Sequence, residues 1–142
     1  MRTYRTFAGC QPPAAGVIRM TIVVCKSGTS PEVREIGRED LSAMQEIVGG
    51  WIEVVYLSTV LCLVCNDEGA INGMPLNRII LNERIDGTPL GALNIHGDFF
   101  VCQYDGPDLS SIPSRRLDLI TEAMSNPVTH LDAAWHRRYI ES

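Results

Sequence analysis

The chain has 142 residues, a formal net charge of −5 and a mean hydropathy near zero. A hydrophobic content of 45% with only 20% charged residues excludes a disordered chain, and this length can bury one core without disulfides. The negative charge disfavours binding to nucleic acid, and no apolar run reaches the roughly 18 residues of a membrane span.

The first nineteen residues lack helical or strand periodicity and have no apolar core of signal-peptide length. At Met20 the sequence changes abruptly to a β-type run. We therefore predict that residues 1–19 are a flexible translated leader and that Met20 is the natural start. Residues 20–125 are predicted to form a single α+β domain, and residues 126–142 a C-terminal helical extension.

The first predicted elements are two strands, Thr21–Cys25 and Glu32–Ile36, joined by a run of turn-forming residues. Apolar residues then recur at helical spacing over Arg38–Val48, and the acidic residues at its start favour the helix dipole. Gly49 and Gly50 end this helix, because glycine adopts the left-handed cap conformation at little cost. A hairpin followed by one helix is the expected N-terminal half.

Four further strands are predicted from β-branched and aromatic residues, with a turn at Asn66–Gly69. They cover Trp51–Leu57, Val60–Cys65, Leu90–Ile95 and Phe99–Gln103.

Two helices are expected near the C-terminus. One is capped by Ser110 or Ser111 and carries an apolar stripe that ends at Met124. The other covers Leu131–Ile140, after a capping-box pattern that begins at Thr129. The predicted fold is α+β, a small antiparallel sheet with one helix after the first hairpin and one or two C-terminal helices.

No metal or cofactor site is expected. Cys62 and Cys65 are three apart in a strand and point to opposite faces, so they indicate core cysteines in a reducing cytoplasm. His130 and His136 lie on different faces of one helix and make a poor metal pair. All three histidines, His96, His130 and His136, are expected at the surface. The sequence contains no nucleophile elbow, phosphate-binding glycine loop or zinc-protease motif.

Asn77 and Arg78 are the strongest candidate binding residues. They follow a rigid Pro-Leu step, and an amide beside a guanidinium grips a carboxylate, a phosphate or a base edge, although the pair could equally tie loops together. Asn66 completes the constellation. Glu53 lies inside an apolar strand, so it either faces water or is buried against a partner such as Arg78.

Four motifs in order resemble an uncharacterised family of small proteins from phages, prophages and conjugative elements, known as a domain of unknown function. The resemblance covers about residues 20–101 and implies no activity. It implies a mobile-element setting in a bacterial cytoplasm, and family members begin near the first strand, which suits Met20. The four motifs are Leu41-Ser-Ala-Met-Gln-Glu-Ile-Val-Gly-Gly-Trp-Ile-Glu-Val-Val55, Asn66-Asp-Glu-Gly69, Met74-Pro-Leu-Asn-Arg78 and Ile85-Asp-Gly-Thr88.

Three functions follow, in order of preference. The first is a non-enzymatic protein that binds a host factor or a small anionic ligand, such as a nucleotide signal used in defence, through Asn66, Asn77, Arg78 and Glu53. The second is an assembly role through a sheet edge or a helix face, a homodimer included. The third is an enzyme acting on nucleotides, with Glu53 or Glu68 as the base.

Overall fold

The computed structural model describes the backbone of residues 2–4 and the whole of residues 18–142. The strands are β1 Arg2–Tyr4, β2 Arg19–Cys25, β3 Glu32–Gly37, β4 Ile52–Tyr56, β5 Leu61–Asn66, β6 Leu76–Glu83, β7 Pro89–His96, β8 Phe99–Asp105, β9 Asp108–Ser110 and β10 Val128–Leu131. The helices are α1 Leu41–Val48, α2 Leu117–Met124 and α3 Ala133–Glu141.

The described strands form two sheets. The larger has seven strands in the order β1-β4-β5-β8-β2-β3, with β9 paired to β8. The smaller has three in the order β10-β6-β7. All pairings are antiparallel except that of β10 with β6. The predicted α+β class with a mainly antiparallel sheet is confirmed.

The large sheet is the middle of three layers. One face packs against α1 through Met44 and Val48, which are almost fully buried. The opposite face packs against the small sheet, α2 and α3, through Ile80, Ile120 and Tyr139. With both faces covered, β5 has five consecutive apolar residues followed by Asn66, and all six are buried.

The N-terminal hairpin and the helix after it are confirmed, with one change of boundary. The helix begins at Leu41 and not at Arg38, because Asp40 is its N-cap and Asp40 Oδ1 accepts a hydrogen bond of 3.0 Å from Ala43 N. Gly49 ends it in the left-handed conformation, with φ of 77°.

The capping predictions for α2 were wrong, although its apolar stripe is confirmed. Ser110 belongs to β9, and Ser111 Oγ accepts from Thr21 N at 3.0 Å, so neither serine caps a helix. A 3₁₀ turn over residues 114–116 leads into α2 instead. Ile120 and Met124 are fully buried, as the stripe predicts.

The final helix starts later than predicted. Thr129 is buried inside β10, and Asp132 caps α3 by accepting a hydrogen bond of 2.8 Å from Trp135 N. Residues 126–142 therefore supply a strand as well as a helix.

The predicted leader falls largely outside the described residues. Within it, Arg2–Tyr4 pairs with β4 and Arg19 opens β2. A natural start at Met20 stays a prediction.

Candidate functional site

Asn77 is the extra residue of a β-bulge. Leu76 pairs with His96 and Arg78 pairs with Ile95, so Asn77 has no partner across the ladder. Regular alternation would put Asn77 and Arg78 on opposite faces, but the bulge turns both side chains inward, where they are 7% and 5% exposed.

Both amide protons of Asn77 are used inside the protein. Nδ2 donates to Cys25 O at 2.8 Å and to Gly97 O at 2.9 Å, which ties β2 to the turn after β7. The amide oxygen accepts from Arg78 Nη1. The amide group thus has its polar atoms paired within the fold.

The Arg78 guanidinium makes four hydrogen bonds to neutral oxygens. Nε donates to Met124 O at 3.0 Å, and Nη2 donates to Thr29 O at 3.3 Å. Nη1 donates to Asn77 O at 3.0 Å and to Asn77 Oδ1. These bonds join β6, the end of α2 and the first hairpin. The sequence left both a ligand-binding role and a loop-tying role open for Arg78, and these contacts are those of the loop-tying role. A ligand would reach this pair only by displacing those bonds.

Asn66 is also a structural residue. Its Nδ2 donates to Val48 O at 3.1 Å, and its Oδ1 accepts from Glu68 N at 2.8 Å, so it fastens the end of α1 to the turn after β5. Gly50 lies against this amide, because a Cβ there would be 2.9 Å from Asn66 Nδ2. The second glycine of the Gly49-Gly50 pair is thus explained by close packing.

Glu53 and Asn66 line one small hollow between the two sheets, the Glu53 hollow, of about 200 Å³. Glu53 is half-buried, and the charged side chain that acts on it is the like-charged Asp67 and not Arg78. Burial, and then the Asp67 carboxylate, raises the pKa of Glu53. His96 closes the hollow, and its Nδ1 lies 3.1 Å from Met74 O. Two acids beside one imidazole make this hollow acidic.

The four described cysteines are core residues. Cys62 and Cys65 lie on opposite faces of the large sheet, as predicted. Cys62 Sγ is 3.6 Å from Cys102 Sγ on the neighbouring strand. Among the described residues no group of three or more His, Cys, Asp or Glu side chains is placed to hold a metal ion.

The expectation that all three histidines lie at the surface was wrong for His136, which is 2% exposed. Its Nε2 is 2.8 Å from Asn82 Oδ1, and Asn82 Nδ2 donates to Leu57 O, so the imidazole nitrogen is the donor of this pair. Burial lowers the pKa of His136.

One concave surface in the described part of the chain was not predicted from the sequence. This Trp135 groove has a volume of about 600 Å³. It lies where α2, β10 and α3 present their outer faces. It is lined by Leu119, Glu122, Ala123, Asn126, Pro127, Val128, His130, Trp135 and Arg138.

The groove combines a fixed aromatic ring with a cation. The Trp135 indole stacks on Tyr139, with ring centres 5.3 Å apart and planes at 13°. Tyr139 is itself buried, and its hydroxyl donates to Gln103 Oε1 at 2.6 Å. Arg138 follows Trp135 by three residues on the same helix face. Within residues 18–142 the Arg138 guanidinium has no side-chain hydrogen bond or ion pair, so it is available to a ligand.

His130 stands opposite, on the outward face of β10. The burial of this strand alternates, with Val128 and His130 exposed and Thr129 and Leu131 buried. Sequence periodicity could have placed Trp135 and Arg138 together. It could not place His130 beside them without knowledge of β10.

The model for the family described as Domain of unknown function (DUF3846) matches residues 20–125, which is most of the chain, and the chain therefore belongs to that family. No curated protein and no solved structure matches the chain significantly. Within the described residues, every helix is too short or too polar to cross a membrane.

Proposed function

We propose that this DUF3846 protein is a non-enzymatic binding protein that holds a small anionic ligand with an aromatic ring, of the nucleotide class, in the Trp135 groove. The supporting observation is that Trp135, Arg138 and His130 converge on one open hollow while the Arg138 guanidinium stays unpaired within the described residues. The proposal keeps the binding role expected from the sequence but assigns it to the Trp135 groove in place of Asn77 and Arg78.

The chemistry of the groove suits a base linked to a phosphate. The indole offers a flat face on which any base can stack, and such stacking contributes about 1–3 kcal/mol per base. A guanidinium pairs with phosphate through two parallel hydrogen bonds. Asn126 adds an amide, and a volume of about 600 Å³ lies within the usual range of ligand sites. Glu122 opposes a multiply charged ligand, so a monophosphate or a cyclic nucleotide fits better than a triphosphate.

Catalysis ranks lower on size and chemistry. A hydrolytic site needs a base within hydrogen-bond reach of the reacting atom. The raised pKa of Glu53 would suit a base, but its hollow of about 200 Å³ lies below the roughly 300–1,000 Å³ of usual ligand pockets. Glu68 is exposed on a turn.

The proposed setting is a phage or another mobile element in a bacterial cytoplasm. Its support is the resemblance carried by the four sequence motifs. The motif residues whose contacts the structure shows, Gly50, Asn66, Asn77 and Arg78, have structural roles in this chain, so the motifs themselves point to no ligand. Because the polar and aromatic residues proposed to hold the ligand, Asn126, His130, Trp135 and Arg138, lie beyond residues 20–125, its ligand is a property of this chain more than of the matched segment. Sequestering a host nucleotide signal would be a counter-defence role, and a host protein is the alternative partner.

The test is calorimetric titration with a panel of nucleoside monophosphates, cyclic nucleotides and inorganic phosphate. Arg138→Ala should weaken binding about tenfold or more, as expected for the loss of a charged hydrogen-bond pair. Arg137→Ala is the matched control, because Arg137 is exposed on the same helix but does not line the groove. Its affinity should equal that of the wild type.

A fluorescence measurement locates the ligand independently. The chain has two tryptophans, so Trp51→Phe leaves Trp135 as the single indole. A stacked base should quench its emission with the same affinity that calorimetry gives. No binding by any member of the panel, or equal losses in Arg138→Ala and Arg137→Ala, would refute the proposal.

A further inference from the structure

The strand β7 is a free edge of the small sheet. Among the described residues its one neighbour is β6, so half of its peptide groups point outward without a strand to receive them. The strand is eight residues long and largely exposed, with Leu90 47% accessible. Such an edge is a template for pairing with another chain.

This edge lacks the charges that keep edges apart. Pro89–His96 contains no Asp, Glu, Lys or Arg. One edge strand of the large sheet, β3, carries Glu32, Arg34 and Glu35 in six residues. Charged side chains on an edge strand oppose pairing, so β3 is protected along its length, whereas the protection of β7 is confined to the proline and the bulge at its start, which leaves residues 91–96 open to pairing.

We infer that two copies of this chain pair through β7, antiparallel to each other about a two-fold axis near Ala92. A strand laid antiparallel against itself is self-complementary in hydrogen bonding and meets the symmetry of a closed dimer. Because Pro89–His96 carries no charged side chain, it offers nothing that would select a charged peptide, and its self-complementarity favours a second copy as the occupant. Each copy carries a net charge of −5, so the two copies repel at long range and the pairing should strengthen with added salt.

The surroundings of β7 define where the pairing is centred. Leu90 is the extra residue of a second bulge, since Asn82 pairs with Gly91 and Glu83 with Pro89. The acidic Glu53 hollow touches residues 93–96. Exposed aliphatic side chains flank the middle of the strand, Leu81 on β6 and Ile85 before β7. A partner centred near Ala92 would cover this apolar strip and leave the Trp135 groove open.

Sedimentation of the full chain over a range of concentrations tests the inference. The wild type should show a species of twice the 15.7 kDa chain mass that grows with concentration. Ala92→Lys should remain monomeric, because it sets two cations close together at the axis while its side chain is exposed in the single copy. Val33→Lys is the control, since it adds the same charge to the exposed edge strand β3, and it should dimerise as the wild type does.

Amide hydrogen exchange needs no variant and identifies the edge directly. Peptides that cover residues 89–96 should exchange more slowly at high than at low protein concentration, whereas those that cover residues 32–37 should not change. A wild type that stays at 15.7 kDa up to about 1 mM overturns the inference, since a complex with a Kd near that value would then be well populated. Concentration-dependent protection at β3 in place of β7 would overturn it as well. Neither outcome bears on ligand binding in the Trp135 groove.

Discussion

Replacing Arg78 with alanine tests whether the residue that the sequence favoured for binding is a structural clamp. The change removes four hydrogen bonds, one that connects β6 to α2, one that connects it to the first hairpin, and two that hold the adjacent Asn77. It leaves Met124 O and Asn77 Oδ1 without a donor inside the fold. Thr29 is exposed, so its carbonyl recovers a water molecule.

The magnitude follows from the three buried bonds, to Met124 O, Asn77 O and Asn77 Oδ1. A hydrogen bond to a charged group contributes about 1.5–3 kcal/mol, so the three together contribute roughly 4.5–9 kcal/mol. Removing the guanidinium also removes the cost of burying a charge, which offsets much of that loss. The net fall in unfolding free energy should be about 2–4 kcal/mol, a large share of the 5–15 kcal/mol typical of a domain. At about 4 °C per kcal/mol, the Tm should fall by roughly 8–16 °C.

Urea unfolding followed by circular dichroism measures this loss. Arg34→Ala is the control, because Arg34 bonds only the exposed Glu32 two residues away, and its removal should change the midpoint far less. If Arg78→Ala proves as stable as Arg34→Ala, the clamp reasoning fails and a binding role for Arg78 returns.

Three further measurements address the core. The folded state holds His136 neutral, with a pKa below the ordinary 6.5. Its contribution to the free energy of unfolding should therefore be fully present above pH 6.5 and fall as the pH drops toward the folded pKa. In urea unfolding at several pH values, His136→Gln should lose this pH dependence and His130→Gln should keep it. Burial raises the pKa of Cys25 to about 12, and burial together with nearby carboxylates raises that of Cys65 to about 12. Iodoacetamide at about pH 8 should therefore label these two thiols in urea but not in the native protein, and peptide mass spectrometry would show the difference. Gly69→Ala should cost about 1–3 kcal/mol in urea unfolding, because the new Cβ would lie 2.6 Å from the backbone carbonyl oxygen of His96. An unchanged midpoint would contradict this close packing of Gly69 against the end of β7.

The sequence alone predicted the parts of the fold whose cause is local. Gly49 ends α1 because glycine tolerates a positive φ, and the opposite facing of Cys62 and Cys65 follows from the two-residue period of a strand. The apolar stripe of α2 was predictable because it too depends on local spacing. Helix boundaries were harder to predict, since Asp40 fixes the N-terminus of α1 through a side-chain hydrogen bond that the apolar pattern does not reveal.

Only tertiary structure decided the roles of the polar residues. A bulge at Asn77, set by the register of β6 against β7, turned a promising amide and guanidinium inward. The Trp135 groove depends on β10, a strand of four residues that forms by pairing with β6 some fifty positions earlier and has too short a pattern to be recognised. Propensity and periodicity act over a few neighbouring residues, whereas register and the meeting of distant faces depend on which strands pair, and that pairing determines which polar groups reach solvent.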